Sequence, residues 1–121
     1  LHFQLPPVAQ GKLVRVSRGA VLDVAVDIRK DSSTFGQHYS VELNEENKLQ
    51  LWIPPGFAHG FVALCDDTVF QYKCTQYYSP ENERSILWND SKLGIDWKIK
   101  DPAVSEKDKN ALTLAEVILP F

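Results

Sequence analysis

Short runs in which apolar and polar residues alternate account for most of this chain, and Pro, Gly, Asn or Asp residues separate them. Alternation with a period of two is the pattern of a β-strand with one buried face. The runs predict strands at residues 1–4, 12–17, 20–29, 35–43, 49–53, 57–64, 68–74 and 84–88. Many short strands separated by turns are typical of an all-β sandwich or jelly roll.

The turn at Arg18-Gly19 predicts a hairpin between the second and third strands. A two-residue turn there places Val14 opposite Asp23. Lys12 and Asp23 then share a face with apolar neighbours. That face is either solvated or lines the interior of a barrel, where carboxylates would hold the lysine and aim it at a ligand.

The stretch 53–64 joins a proline turn to a strand that carries a histidine. Pro54-Pro55 ends the preceding run, and Gly56 supplies permissive backbone angles. With period-two alternation, Phe57, His59 and Phe61 fall on one face of the strand that follows. A histidine between two aromatic residues is either a core residue with one hydrogen bond or a group that takes part in the chemistry of a site.

A second hairpin is predicted at Asp66-Asp67, between the strands 57–64 and 68–74. In that register Phe61 pairs with Tyr72. His59 and Tyr72 then lie on one face as diagonal neighbours, within reach of each other. Tyr72 is either a core tyrosine with a bonded hydroxyl or a second functional group beside the histidine.

The C-terminal part carries the only helix signals. Ser105 is followed by Asp108 and Thr113 by Glu116, and both spacings resemble capping boxes. Neither segment is long. We expect short C-terminal helical segments on an otherwise all-β domain.

Composition places the chain among ordinary globular proteins. The 121 residues fit one domain, and 44% of them are hydrophobic and 24% charged. A net charge of −3 argues against general affinity for nucleic acid. No apolar run is long enough for a membrane span, and no charged start followed by an apolar core indicates a signal peptide. We expect a cytoplasmic protein whose two cysteines, Cys65 and Cys74, are both reduced.

The spacing Pro54-x-Gly56-x-x-His59 resembles the second histidine motif of the cupin superfamily. With its flanks, the chain resembles the dTDP-4-dehydrorhamnose 3,5-epimerase family over essentially its whole length. The matching motifs are Leu1-His2-Phe3-Gln4-Leu5-Pro6-Pro7, Gln10-Gly11-Lys12-Leu13-Val14, Asp23-Val24-Ala25-Val26-Asp27-Ile28-Arg29, Ser33-Thr34-Phe35-Gly36, Gly56-Phe57-Ala58-His59-Gly60-Phe61, Tyr72-Lys73-Cys74, Tyr78-Ser79-Pro80-Glu81, Trp88-Asn89-Asp90 and Ser105-Glu106-Lys107-Asp108.

The resemblance implies a single cupin-type jelly roll, or double-stranded β-helix, over residues 1–121 in a homodimer. It also implies that a section ending in an Arg-Gly pair precedes Leu1 in the full-length protein. A metal-binding cupin needs two close histidines and a glutamate in its first motif. Here Leu1–Gln4 offers one imidazole, so we expect no metal and no redox cofactor.

The implied activity is epimerisation at C3 and C5 of dTDP-4-dehydro-6-deoxyglucose, by proton transfer next to the C4 ketone. The implied roles are a base for His2, its carboxylate partner for Asp108, a proton donor on the opposite face of the sugar for Tyr72, contacts near the 4-keto oxygen for Lys12 and His59, stacking on thymine for Tyr78, and further nucleotide or phosphate contacts for Glu83 and Lys107. Alternatives are a C3-only or C5-only epimerase, a related ketoisomerase, and a catalytically silent cupin that binds a nucleotide sugar.

Overall fold

The computed structural model describes residues 1–121, and strands dominate it, as the alternation predicts. The strands are β1 His2–Gln4, β2 Lys12–Arg18, β3 Ala20–Asp27, β4 His38–Asn44, β5 Gln50–Ile53, β6 Phe57–Ala63, β7 Val69–Cys74 and β8 Glu83–Ser85. One 3₁₀ turn, Pro80–Asn82, and one short helix, α1 Glu106–Lys109, complete the elements. No helix is long and apolar enough to cross a membrane.

Two antiparallel sheets form the fold. The first has five strands in the order β4-β3-β6-β1-β8, and the second has three in the order β5-β2-β7. Apolar side chains of both sheets meet between them and are buried, namely Val14, Val16, Val21, Ala25, Leu43 and Ile53. The expected all-β jelly roll is confirmed.

The first predicted hairpin is wrong, because β2 and β3 belong to different sheets. Val14 pairs with Leu51 and Tyr72 rather than with Asp23. An irregularity between Val16 and Arg18 shifts the register of β2 just before the turn, and Gly19 has φ +83°. A bulge followed by a left-handed glycine turns the chain through a corner instead of folding it back on itself.

The second predicted hairpin is also wrong. β6 lies between β3 and β1, whereas β7 pairs with β2 in the other sheet. Tyr72 therefore does not pair with Phe61, and it is no diagonal neighbour of His59. Alternation predicts which face of a strand points inward, but strands of facing sheets share the same inward pattern, so it does not identify the partner strand.

A second core covers the other face of the five-stranded sheet. Alternate residues of β3, Leu22, Val24 and Val26, pack there with β1 and with the C-terminal part of the chain. That part contributes Ile86, Leu93, Trp97 and Leu119. β3 is consequently buried on both faces, and it is the most enclosed strand of the fold.

One of the two predicted helical segments forms. Ser105 caps α1, and its Oγ accepts a hydrogen bond from the backbone N–H of Asp108. Thr113 and Glu116 also bond to each other, but they close only a turn. Three residues beyond that turn, Leu119 is buried in the second core, so the chain leaves the turn before a helix can extend.

Candidate active site

A cavity of about 1060 Å³ lies between the two sheets, and residues of both sheets line it. Seven of the eight predicted site residues are among them: His2, Lys12, His59, Tyr72, Tyr78, Glu83 and Asp108. The eighth, Lys107, reaches the site through its ammonium group, which donates to Glu83. The structure therefore brings together all the residues that the resemblance singles out.

His2 lies between two carboxylates. Its Nδ1 is 2.8 Å from Oε1 of Glu83, and its Nε2 is 2.6 Å from Oδ1 of Asp108. Only a doubly protonated ring can donate from both nitrogens, whereas a neutral ring donates from one. Since the ring and both carboxylates line the open cavity, this arrangement can take up and release a proton there.

Glu83 is the more enclosed of the two carboxylates, with 12% of its side chain exposed against 31% for Asp108. Burial alone would raise the pKa of Glu83, but hydrogen bonds from Lys107, His2 and Tyr78 outweigh it and lower the pKa to about 2. Glu83 is therefore ionised at neutral pH. The resemblance predicts Glu83 as a nucleotide or phosphate contact, not as a partner of His2. The pairing of Gln4 with Glu83 across β1 and β8 makes the contact between Glu83 and His2 possible.

A second histidine–carboxylate pair lies deeper in the cavity wall. His59 Nε2 is 2.7 Å from Asp23 Oδ1, and both side chains are buried. Asp23 pairs with Phe61 across β3 and β6, which makes it a diagonal neighbour of His59 on the same face. Sequence reasoning missed this pair because it assigned β6 to the wrong neighbour. The other oxygen of Asp23, Oδ2, is buried and accepts no hydrogen bond from the chain.

Aromatic rings of the two sheets pack on one another beside the cavity. The ring of Phe70 lies 6.3 Å from that of His59, 4.3 Å from that of Phe61 and 5.9 Å from that of Tyr72. Tyr72 is 57% exposed, so it is a cavity residue rather than a core tyrosine. Its phenol belongs to the three-stranded sheet, whereas His2 and His59 belong to the five-stranded one. The phenol and the imidazoles thus approach the cavity from opposite walls.

Lys12 lines the cavity, so its face of β2 lines the interior of the barrel rather than being solvated. Burial lowers the pKa of Lys12, and the nearby Cys74, Glu83 and Asp23 oppose that shift. The ammonium takes part in none of the ion pairs of the structure. The expectation that carboxylates hold it directly is therefore wrong. Its positive charge is available to a ligand.

Two adjacent tyrosines stand at the rim of the cavity. Tyr77 is 92% exposed and Tyr78 62% exposed. A hydrogen bond to the Glu83 carboxylate raises the pKa of the Tyr78 phenol. An exposed tyrosine ring offers a flat apolar face on which a base can stack.

Neither a metal cluster nor a disulfide is part of this arrangement. No three His, Cys, Asp or Glu side chains among residues 1–121 are grouped so that they could hold a metal ion. Cys65 and Cys74 are both free and exposed, as expected from the sequence. Besides the Cys74 thiol, the cavity contains imidazole, phenol, ammonium and carboxylate groups, all of which transfer or stabilise protons and charge.

Two facing antiparallel sheets with a proton-transfer cluster in the cavity between them define a cupin-type jelly roll with an enzyme-like site. The sequence profile described as dTDP-4-dehydrorhamnose 3,5-epimerase matches residues 1–116. The chain belongs to that family.

Curated relatives agree with the assignment. The dTDP-4-dehydrorhamnose 3,5-epimerase of Salmonella typhimurium is 58% identical over 120 residues, which is 98% of this chain and 66% of the relative. The enzyme of the same name from Escherichia coli is 53% identical over 119 residues, 98% of this chain and 64% of the relative. The chain thus spans just under two thirds of the length of these relatives.

Solved structures share the fold closely. The crystal structure of dTDP-4-dehydrorhamnose 3,5-epimerase from Elizabethkingia anophelis superposes with a TM-score of 0.94 at 52% identity, covering 96% of this chain and 64% of that one. The 3,5-epimerase of Legionella pneumophila, in complex with dTDP-4-keto-L-rhamnose, gives 0.92 at 51% identity, covering 98% and 63%. The cupin-type jelly roll is confirmed.

Proposed function

We propose that the protein to which this chain belongs epimerises C3 and C5 of dTDP-4-dehydro-6-deoxyglucose and so forms dTDP-4-dehydrorhamnose. The observation that carries the proposal is the placement of His2 and Tyr72 on opposite walls of one cavity with Lys12 lining it too. Inversion at carbon needs a base and an acid on opposite faces of the substrate. Membership of the epimerase family supplies the substrate class.

Proton removal is the first step of the proposed reaction. The C4 ketone acidifies the hydrogens on C3 and C5, because the carbanion that forms is delocalised onto the carbonyl oxygen as an enolate. His2, with Asp108 and Glu83 at its ring nitrogens, takes the proton. General-base catalysis of this kind contributes about 10²–10⁴-fold in rate.

Charge on the enolate oxygen needs a partner. Lys12 provides an ammonium group that no carboxylate of the chain occupies, and His59 adds a hydrogen-bonding ring held by Asp23. In a half-buried cavity such contacts are stronger than in water. Lys12 and His59 therefore stabilise the enolate in this proposal.

Return of a proton from the other wall completes the inversion. Tyr72 donates its phenolic proton to the carbon from the face opposite His2, and the enolate collapses back to the ketone. The phenolate then regains a proton from solvent, and His2 releases the one that it took. The chemistry needs no change of oxidation state, and one proton leaves and one arrives at each carbon.

The nucleotide end of the substrate fits the rim of the cavity. The exposed ring of Tyr78 is available to stack on thymine. Lys107 places an ammonium beside Glu83 at the same rim, where a diphosphate carries its charge. The similar Legionella pneumophila structure holds dTDP-4-keto-L-rhamnose, which supports a ligand of this class.

We further propose that the whole protein is a homodimer and works in the cytoplasm. Edge strands β4 and β7 are exposed along most of their length, and unpaired strand edges favour pairing with another chain. Two free, exposed cysteines fit a reducing compartment. Sedimentation equilibrium of the full-length protein tests the dimer, and a monomer at micromolar concentration would contradict it.

Proton NMR in deuterated water tests the activity. The full-length protein is mixed with dTDP-4-dehydro-6-deoxyglucose, and the signals of C3–H and C5–H are followed separately. We expect both signals to disappear while the sugar changes configuration at both carbons. Loss at C3 alone would favour a mono-epimerase, a class to which the similar Streptomyces bikiniensis 3′-monoepimerase belongs. Binding of dTDP without exchange at either carbon would indicate a silent binding protein.

A further inference from the structure

The ring of His2 has two carboxylate partners, and they differ in how firmly the fold holds them. Glu83 belongs to β8, which is hydrogen-bonded to β1 with Gln4 paired to Glu83 and His2 paired to Ser85. The backbone thus ties Glu83 directly to the strand that carries His2. Asp108 lies on α1, a helix of four residues without a buried side chain. Glu83 is the fixed partner.

The surroundings of Glu83 add to this difference. Its Oε1 accepts hydrogen bonds from His2 Nδ1 and from the Lys107 ammonium, and 12% of the side chain is exposed. Asp108 accepts from His2 Nε2 with 31% of its side chain exposed, and it forms no ion pair with a lysine or arginine. A carboxylate that accepts hydrogen bonds from an ammonium and from an imidazole keeps its place and its charge.

The state of the ring decides which nitrogen can act as a base. A neutral imidazole keeps one N–H, and the hydrogen bond at that nitrogen fixes both the tautomer and the ring orientation. When the N–H stays with the firmly held acceptor, it stays on Nδ1 and faces Glu83. The lone pair is then on Nε2.

We propose that Glu83 is the positioning residue of His2: it holds the Nδ1–H, and so makes Nε2 the nitrogen that exchanges protons with the sugar. Lys107 positions Glu83 in turn. When the ring is charged, its Nε2–H donates to Asp108. When the ring is neutral, Nε2 carries the lone pair and is available to the substrate. The proposal rests on the proposed function for the reaction, and it replaces the nucleotide contact expected for Glu83.

Nitrogen-15 NMR of the histidine rings tests the tautomer without any turnover. In the full-length protein at alkaline pH, we expect His2 as the Nδ1–H tautomer. Glu83→Met, which keeps the length of the side chain but removes the acceptor, should shift His2 toward the Nε2–H form. Asp108→Asn should leave the Nδ1–H form in place. Should Glu83→Met leave the tautomer unchanged, or Asp108→Asn change it instead, the proposal is overturned.

Kinetics distinguish positioning from substrate binding. With the wrong nitrogen protonated, Glu83→Met should lower kcat by about 10²-fold or more while KM changes little. Glu83→Asp, which retains a carboxylate, should recover part of kcat. A rise in KM at unchanged kcat would instead make Glu83 a nucleotide contact. Glu81→Met is the matched control, because Glu81 is an exposed neighbour on the 3₁₀ turn that does not line the cavity.

The two readouts fail separately. If the unaltered protein exchanges no proton of the sugar, the proposed reaction falls while the tautomer measurement still decides the role of Glu83. If exchange is normal but the tautomer does not depend on Glu83, the reaction stands and the positioning role falls.

Discussion

The cavity contains two histidine–carboxylate clusters, and they differ in nearly every physical respect. His59 and Asp23 lie on adjacent central strands of the five-stranded sheet, with 7% and 0% of their side chains exposed. His2 lies on β1 with 30% exposure, and Asp108 lies on a helix of four residues. One pair is part of the barrel wall. The other is assembled at the cavity from segments 106 residues apart along the chain.

This difference suits the His59–Asp23 pair and the His2–Asp108 pair to different proposed roles. A buried pair on paired central strands is held in one orientation, which suits a fixed hydrogen bond to an oxygen. A half-exposed ring can exchange its proton with water between turnovers, which a base must do. Exposure and backbone support, rather than the chemical type of the residues, therefore separate the proposed base from the proposed oxygen contact.

Tyr72→Phe should have the largest effect that leaves both clusters intact. The phenol on the opposite wall is lost, so epimerisation should fall by about 10²–10⁴-fold. Deuterium should still enter the substrate, because His2 can return a deuteron to the face from which it took the proton. Chiral analysis of the product together with NMR measures both. Tyr39→Phe, an exposed tyrosine on β4 outside the cavity, is the control, and near-normal epimerisation by Tyr72→Phe would exclude Tyr72 as the acid.

Lys12→Gln should lower the exchange rate by about 10²–10³-fold, because the enolate oxygen loses its cation. The rate of deuterium entry at saturating substrate measures this effect. Lys73→Gln is the matched control, since Lys73 lies on neighbouring β7 but outside the cavity lining. If the two variants exchange at equal rates, Lys12 does not stabilise the charge on the enolate oxygen.

The same change in the two clusters should have unequal effects on stability. Asp23→Asn places an amide NH₂ at the buried position of Oδ2, which has no partner in the chain, and should cost about 1–3 kcal/mol in the free energy of unfolding. Asp108→Asn changes a half-exposed ion pair and should cost about 0–1 kcal/mol. Urea denaturation of both variants measures the contrast. Equal losses in the free energy of unfolding would show that the buried and the half-exposed clusters contribute equally to stability.

A smaller effect concerns acid. Because the pKa of Glu83 in the folded protein is lowered to about 2 from an ordinary 4.5, its ionised form stabilises the fold above that ordinary value. The stabilisation is lost as the pH falls from about 4.5 to about 2. Glu83→Gln should flatten the fall in stability over this window by about 1 kcal/mol. Thermal unfolding at stepped pH, compared with Glu81→Gln, measures it. Identical curves for the two variants would contradict a stabilising role of the ionised Glu83 carboxylate.

Alternation in the sequence predicts the strands and their inward faces, and the resemblance places all eight site residues at one cavity. The alternation does not predict which strands pair. Val14 and Tyr72 are neighbours, and so are His59 and Asp23, because each corner sends the chain into the facing sheet rather than back along the strand before it. Contacts that depend on this crossing could not be derived from local patterns, and the bond between Glu83 and His2 is one of them.

In the proposed reaction the half-exposed cluster removes the proton and the buried one does not. Carbon-resolved deuterium entry from deuterated water, measured in the full-length protein with His2→Asn and His59→Asn side by side, tests it directly. We expect no entry at C3 or C5 with His2→Asn, and slowed but measurable entry at both carbons with His59→Asn. Free exchange with His2→Asn, together with its loss in His59→Asn, would exclude His2 as the base and make His59 the base.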